Sequence, residues 1–196
     1  MTITRIGTAA VKSLIITLIV FFALPAFAGE TYRLDPAHTS VVFRVKHLGV
    51  AQFYGSFNGA TGTFQFDESS PSKNTIELEV KAANVNTGID KRDNHLKSPD
   101  FFNAGEHPVI SFKSKSVMQS DNGTYKVSGD LNILGKTSPI TVEAKETGSG
   151  KDPWGKYRKG FETSFTVKRS EFGMNYMLGG LSDEVLVIVS VEGIRQ

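Results

Sequence analysis

The chain has 196 residues, 22 Lys and Arg against 20 Asp and Glu, fourteen phenylalanines and no cysteine. That length suits one domain with a sizeable core, and the missing thiols exclude thiol catalysis, Cys-bound zinc and iron–sulfur clusters. No basic run with interleaved aromatics occurs, so the charge pattern does not point to a nucleic-acid partner.

Residues 1–28 read as a secretory signal peptide. Arg5 and Lys12 stand without acids, residues 14–24 (LIITLIVFFAL) form an apolar run broken only by Thr17, and Ala26-Phe27-Ala28 sets up a cut between Ala28 and Gly29. Such a run is too short to cross a hydrocarbon core of about 30 Å. No cysteine follows the cut, which excludes a lipoprotein anchor. The expectation is export to the periplasm, no integral membrane anchor, and a mature domain over 29–196. Without Arg5 and Lys12 that domain has 20 basic and 20 acidic residues and no formal net charge.

Beyond Gly29, period-two alternation marks nine strand candidates: 40–48, 51–59, 60–68, 75–82, 109–117, 124–134, 140–146, 160–169 and 184–194. In the fourth, Ile76, Leu78 and Val80 face one side and Glu77, Glu79 and Lys81 the other. Short links such as 58–62, 120–123 and 135–139 favour antiparallel neighbours, because a parallel pair needs a crossover. The long insertion at 84–107 breaks the alternation. There Ser98 is placed to cap a short helix, with Pro99 at its first position and Asp100 in its first turn. In the last strand Val185 to Val189 are apolar on both faces. One face suits the interior; the other packs either under the insertion or under other protein.

One antiparallel sheet has to close or fold over to hide its edges and apolar face. Periodicity leaves barrel and sandwich open. The Phe load and the strand glycines Gly55, Gly62, Gly129 and Gly160 lean to a barrel.

Conventional catalytic signatures are missing. His38, His47, His95 and His107 show no helical zinc spacing, no G-x-S-x-G elbow occurs, and no Gly-rich phosphate loop precedes a helix. Neither metal nor cofactor is expected. The run DKRDNH (90–95) leaves three readings of Arg92, Asp93 and His95: a clasp that locks a loop, the polar rim of a cavity, or a catalytic group. Burying such a charged pair costs desolvation. The phenylalanines are core one by one; together they fit a container for an apolar ligand.

Several stretches carry a resemblance: YRLDPAHTSVVFRVKHLG (32–49), YGSFNGATGTFQFD (54–67), NTGIDKRDNHLKSPDFFNAGEHPVISFKS (86–114), GDLNILGKTSPITVEA (129–144), DPWG (152–155) and RSEFG (169–173). From Tyr32 to the C-terminus the sequence resembles the YceI-like family of polyisoprenoid-binding proteins. The resemblance implies an all-β fold: an antiparallel up-and-down, lipocalin-like β-barrel of about eight strands, with a short helical insertion near 90–106. It also implies an isoprenoid or other long-chain lipid ligand and no catalytic activity. On this reading Phe43, Val45, Phe53, Phe64, Leu78, Phe101, Phe102, Ile110, Phe112, Leu131 and Phe165 are expected in the apolar interior. His38, Arg92, Asp93 and His95 are expected at its polar rim or clasp. An enzyme acting on such a lipid through Arg92, Asp93 and His95, and a packed barrel without ligand, are the alternatives. A homodimer through strand edges is compatible with the sequence and leaves no signature in it.

Overall fold

The computed structural model describes residues 29–196 apart from Asn122, so the signal peptide read over 1–28 falls outside the described residues. In chain order the elements are β1 (Glu30–Leu34), β2 (Ser40–His47), β3 (Ala51–Phe57), β4 (Thr61–Phe66), β5 (Thr75–Lys81), β6 (Val85–Asn86), α1 (Asp90–Leu96), β7 (Val109–Asp121), β8 (Thr124–Ile133), β9 (Lys136–Lys151), β10 (Tyr157–Lys168) and β11 (Leu181–Arg195). Eight strands close a ring in the order β1-β4-β5-β7-β8-β9-β10-β11, with β11 pairing back onto β1. β2, β3 and β6 continue the sheet from β11. The expected all-β barrel of about eight strands is present, and its helix lies in the insertion.

Closure rests on β11. One edge pairs with β10 from Glu184 to Ile194. The other edge pairs first with β2, with Leu181 opposite His47 and Val189 opposite Val41, and then with β1, with Arg195 opposite Tyr32. The two ends of the barrel follow from this register. The start of β11, the β2–β3 hairpin and the insertion form the mouth; the end of β11, β1 and the β9–β10 hairpin form the floor.

β6 falls inside the expected non-strand insertion and β7 runs to Asp121 rather than 117; three further elements differ from the sequence expectation for a physical reason. β1 escapes the alternation because only Tyr32 and Leu34 turn inward in its five residues. β9 spans sixteen residues rather than 140–146, since ladders to β8 and β10 hold its polar, Gly-containing ends extended. The helix is also misplaced: it covers Asp90–Leu96, upstream of Ser98. Asp90 and Asp93 in its first turn complement the N-terminal dipole. Pro99 lies just past its end, where proline stops a helix rather than starting one.

The floor is filled by rings. Tyr32 stacks on Phe64 at 4.7 Å, and Phe161 meets Phe64 edge-on at 5.6 Å. Phe66 and Tyr125 join them. The buried Lys159 ammonium lies 4.3 Å from the Phe66 ring centre and 2.7 Å from a Glu146 carboxylate oxygen, so its charge is compensated twice.

Outside the floor Arg158 gathers three carboxylates. It donates to Asp35 at 2.9 Å, to Asp152 at 2.8 Å and to Glu192. Bonds from His38 and Arg158 hold the Asp35 carboxyl down at about 2. A carboxyl depressed in the folded state stabilises the fold above its unfolded value, near 4, and loses that contribution as pH falls through its folded value. Arg158→Met is therefore expected to melt lower than the parent at neutral pH. The difference should shrink as pH is taken from about 4 to about 2, which thermal denaturation across that range would measure.

Candidate functional site

A cavity of about 620 Å³ runs through the barrel. An eight-stranded barrel has room for its own side chains or for one small ligand, and here the side chains leave space. Phe43 and Val45 on β2, Phe53 on β3, Phe64 on β4, Leu78 on β5, Ile110 and Phe112 on β7, Leu131 on β8 and Phe165 on β10 all face it. Phe101 and Phe102 reach it from the insertion. The eleven apolar positions named from the sequence thus lie on one surface. The wall is kept clear by a glycine: the Phe43 ring lies against Gly55, its cross-strand partner, where a Cβ would sit 2.2 Å from the ring.

Inward residues of β11, Val185, Val187, Val189 and Val191, line the same space. Its outward residues are half-buried. The insertion meets the inward face, not the outward one: Leu96 and Phe102 join the cluster that holds Val189, Phe43, Phe57 and Val80. β3 pairs with β6 only at Ser56 and Phe57, and the insertion fills the wedge that this leaves.

What holds the insertion is a clasp on Thr87. Asp93 Oδ1 accepts from the Thr87 amide at 2.9 Å and from its hydroxyl at 2.5 Å. Arg92 Nε donates to the same hydroxyl at 2.8 Å, and its terminal nitrogen donates to the Thr87 carbonyl at 2.9 Å. The Arg92 guanidinium also lies 4.2 Å from the Phe53 ring centre. Arg92 and Asp93 therefore meet through threonine rather than as a direct ion pair. The sequence shows both charges; their shared partner five and six residues upstream carries no signal of its own.

His95 sits apart from that clasp. Its Nε2 is 2.8 Å from Asp100 Oδ2, and its ring packs edge-on against Phe101 and Tyr176 at 5.1 and 5.3 Å. Arg92 and His95 border the cavity. His38 does not join them. It pairs with Asp35 beside Arg158, at the floor end, because it precedes β2 and the register of β2 on β11 carries it away from the mouth. Asp35, His38 and Glu192 stand close enough for a metal, but the Arg158 guanidinium already bonds both carboxylates.

Arg169 is the residue that sequence reasoning passed over. It is buried, and it donates to the carbonyls of Met174, Tyr176, Leu181 and Ser182 at 2.8–3.2 Å. Burial pushes its guanidinium below the usual arginine range. Ser170 beside it donates its amide and hydroxyl to Asp183 at 2.9 and 2.8 Å. Together they shape the 173–181 loop, whose Tyr176, Met177 and Leu181 border the cavity mouth. RSEFG was visible as a motif; that its arginine serves carbonyls five to thirteen residues on was not.

Residues 32–193 match the YceI-like domain. The chain belongs to the YceI-like family. It is 42% identical over 178 residues to a UPF0312 protein of Pseudomonas aeruginosa, covering 90% of this chain and 92% of that one. A UPF0312 protein of Yersinia enterocolitica is likewise 42% identical over 179 residues, with the same coverage. Among solved structures, the YceI protein of Campylobacter jejuni superposes with a TM-score of 0.70 at 32% identity, over 77% of this chain and 90% of that one. Burkholderia cenocepacia BcnA shares the fold at a TM-score of 0.75 and 21% identity, over 81% and 98% of the two chains. A Saccharophagus degradans domain described as polyisoprenoid binding shares it at 0.66 and 14%, over 84% and 98%.

The YceI-like barrel depends on the Thr87 clasp to seat its insertion. Thr87→Val keeps the shape but strips one bond each from Arg92 and the buried Asp93, which costs about 1–3 kcal/mol. The expected result is a lower denaturant midpoint and faster amide exchange over 87–103, with Thr87→Ser close to the parent.

Proposed function

We propose that the protein is an exported, periplasmic binding protein. It holds a polyisoprenoid or similar long-chain amphiphile in the barrel interior, as a carrier, store or sequestrant, and it is not an enzyme. The observation that carries this reading is the cavity itself: about 620 Å³, walled mostly by Phe, Val, Leu and Ile, with Arg92, His95 and Tyr176 at its mouth. Each buried methylene contributes about 0.8 kcal/mol before ordering costs. Recognition of such a chain needs shape and length; only a head group needs polar partners, and the mouth supplies them.

Export is supported by the basic start, apolar run and small-x-small cut of residues 1–28. The ligand class draws on family membership and on the polyisoprenoid-binding description of one protein with this fold. Catalysis through Arg92, Asp93 and His95 is disfavoured because the three do not converge on one point: Arg92 and Asp93 bind Thr87, while His95 pairs separately with Asp100.

Two measurements test the proposal. Organic extraction of protein purified from its native cells, followed by mass spectrometry, is expected to release a stoichiometric isoprenoid or long-chain amphiphile. A clean blank under mild purification would favour a packed barrel. Val187→Trp, which fills the middle of the cavity, is expected to weaken binding of such a lipid at least tenfold while the strand signature in circular dichroism persists.

A further inference from the structure

We propose that the mouth of the barrel docks on the surface of a lipid bilayer through an apolar rim, so that ligand passes between membrane and cavity without crossing water. This rests on the container reading above. The rim is made of Leu48 and Val50 on the β2–β3 hairpin and Met177 and Leu178 on the loop before β11. Their exposures are 57%, 85%, 44% and 42%. A soluble surface exposes single apolar residues freely, but a cluster at one place marks an interaction site. Here the two segments are one unit. The Leu48 amide donates to the Gly180 carbonyl at 2.6 Å, and the Leu48 and Met177 side chains both close on Gly180.

The rim is continuous with the cavity. Met177 belongs to both, and His47, Ala51 and Tyr176, next to the rim residues in sequence, border the cavity mouth. A surface that covered the rim would therefore also cover the opening. An apolar chain leaving the cavity would meet that surface first.

Backbone geometry adds an independent observation. Among the described residues four non-glycines have φ in the left-handed region: Leu48 (49°), Asn103 (42°), Leu134 (53°) and Met177 (55°). All four lie at the mouth end, on the β2–β3 hairpin, the insertion, the β8–β9 hairpin and the 173–181 loop. Left-handed backbone costs a residue with a Cβ roughly 1–2 kcal/mol. Glycine would relieve it, yet at the rim Leu48 and Met177 stand there with exposed side chains packed over Gly180. Strain kept in this way belongs to sites whose side chains have a use.

Charge decides what kind of surface fits. The mouth segments carry Lys46, Lys97 and Lys136, and also Asp100, Glu106 and Glu171. With both signs interspersed, attraction to anionic lipid is not the driving force. The partner is the apolar boundary layer of a bilayer, entered by side chains that prefer it to water.

The chain's one tryptophan is placed to test this. Trp154 is 80% exposed on the β9–β10 hairpin at the floor, roughly 40 Å from the mouth at 3.3 Å per residue along β11. The material to use is the polypeptide from Gly29 on, which contains every strand of the barrel and lacks the apolar run 14–24. With phosphatidylcholine vesicles, it is expected to co-sediment, and to do so equally in about 0.5 M salt, where exposed charges are screened. Trp154 emission should stay unchanged. In a Trp154→Phe background, Val50→Trp should give emission that moves to the blue on vesicle addition. Leu48→Glu with Val50→Glu should lower the vesicle partition coefficient at least tenfold. Binding of cis-parinaric acid without vesicles, measured on the same preparations, separates the two readings. Parent and Glu variant are expected to bind it alike. Vesicle binding without parinarate binding would uphold docking while removing the container. The docking proposal is overturned if the parent stays in the supernatant, if Trp154 shifts instead, if the Glu variant partitions like the parent, or if the rim changes alter only self-association.

Discussion

Closure of the sheet through β11 is the constraint on which everything else in this molecule depends. The inward faces carry large aromatic and branched side chains, and an open sheet would leave them in water. β11 removes that problem by offering one edge to β10 and dividing the other between β2 and β1. The division has a consequence. Where β11 leaves β1 for β2, the sheet divides: β2, β3 and β6 run on from β11, while β4 and β5 run on from β1. The two-residue β6 is followed by the insertion, which adds Leu96 and Phe102 to the interior there. Closure and access are therefore settled by the same strand.

Floor and mouth are built from different physics. At the floor, stacked and edge-on rings fill the interior, and the one buried ammonium there is matched by a carboxylate and by ring faces. At the mouth, apolar packing is incomplete, and irregular backbone has to be held by side chains. Arg169 gives its donors to four carbonyls, and Thr87 receives both Arg92 and Asp93. Loops tied by a few polar anchors open at lower free energy than ladders backed by a core. A filled floor and a tethered mouth suit the container proposed above, because opening costs less at the mouth than at the floor.

Legibility in the sequence followed the same gradient. Strands with one wet and one buried face, such as β5 with Ile76, Leu78 and Val80, show in the alternation. So do the nine cavity-facing apolar positions on strands, because inward direction in a strand is a matter of parity; Phe101 and Phe102, in the insertion, carry no such signal. β1 was too short to show a period. The polar ends of β9 are strand only because their neighbours are. The Ser98-Pro99 pair misled for a specific reason: the same residues that can open a helix also follow one, and only the two acids of Asp90–Asp93 mark which side is the start. His38 looked like a rim residue beside the other polar groups, yet parity says nothing about which end of a barrel a residue occupies. That depends on register, which is set between strands far apart in sequence. The Arg169 anchor was opaque for a related reason, since its partners are backbone carbonyls and every residue has those; the Thr87 anchor was opaque because nothing in a single threonine names Arg92 and Asp93 as its partners.

The charged run in the insertion is best understood through what it spares the interior. A cavity for a long apolar chain gains from every polar group kept out of it, because a polar atom inside would need a partner that the chain cannot provide. Arg92 and His95 border the opening with Asp93 beside them, and each has a local partner in Thr87 or Asp100. Their side chains then show the cavity mainly a guanidinium face laid on Phe53 and an imidazole edge against Phe101. Charge at the entrance is in this way turned into scaffold. The insertion can be hydrophilic in sequence and still present an apolar passage, and a run with the composition of an active site need not be one.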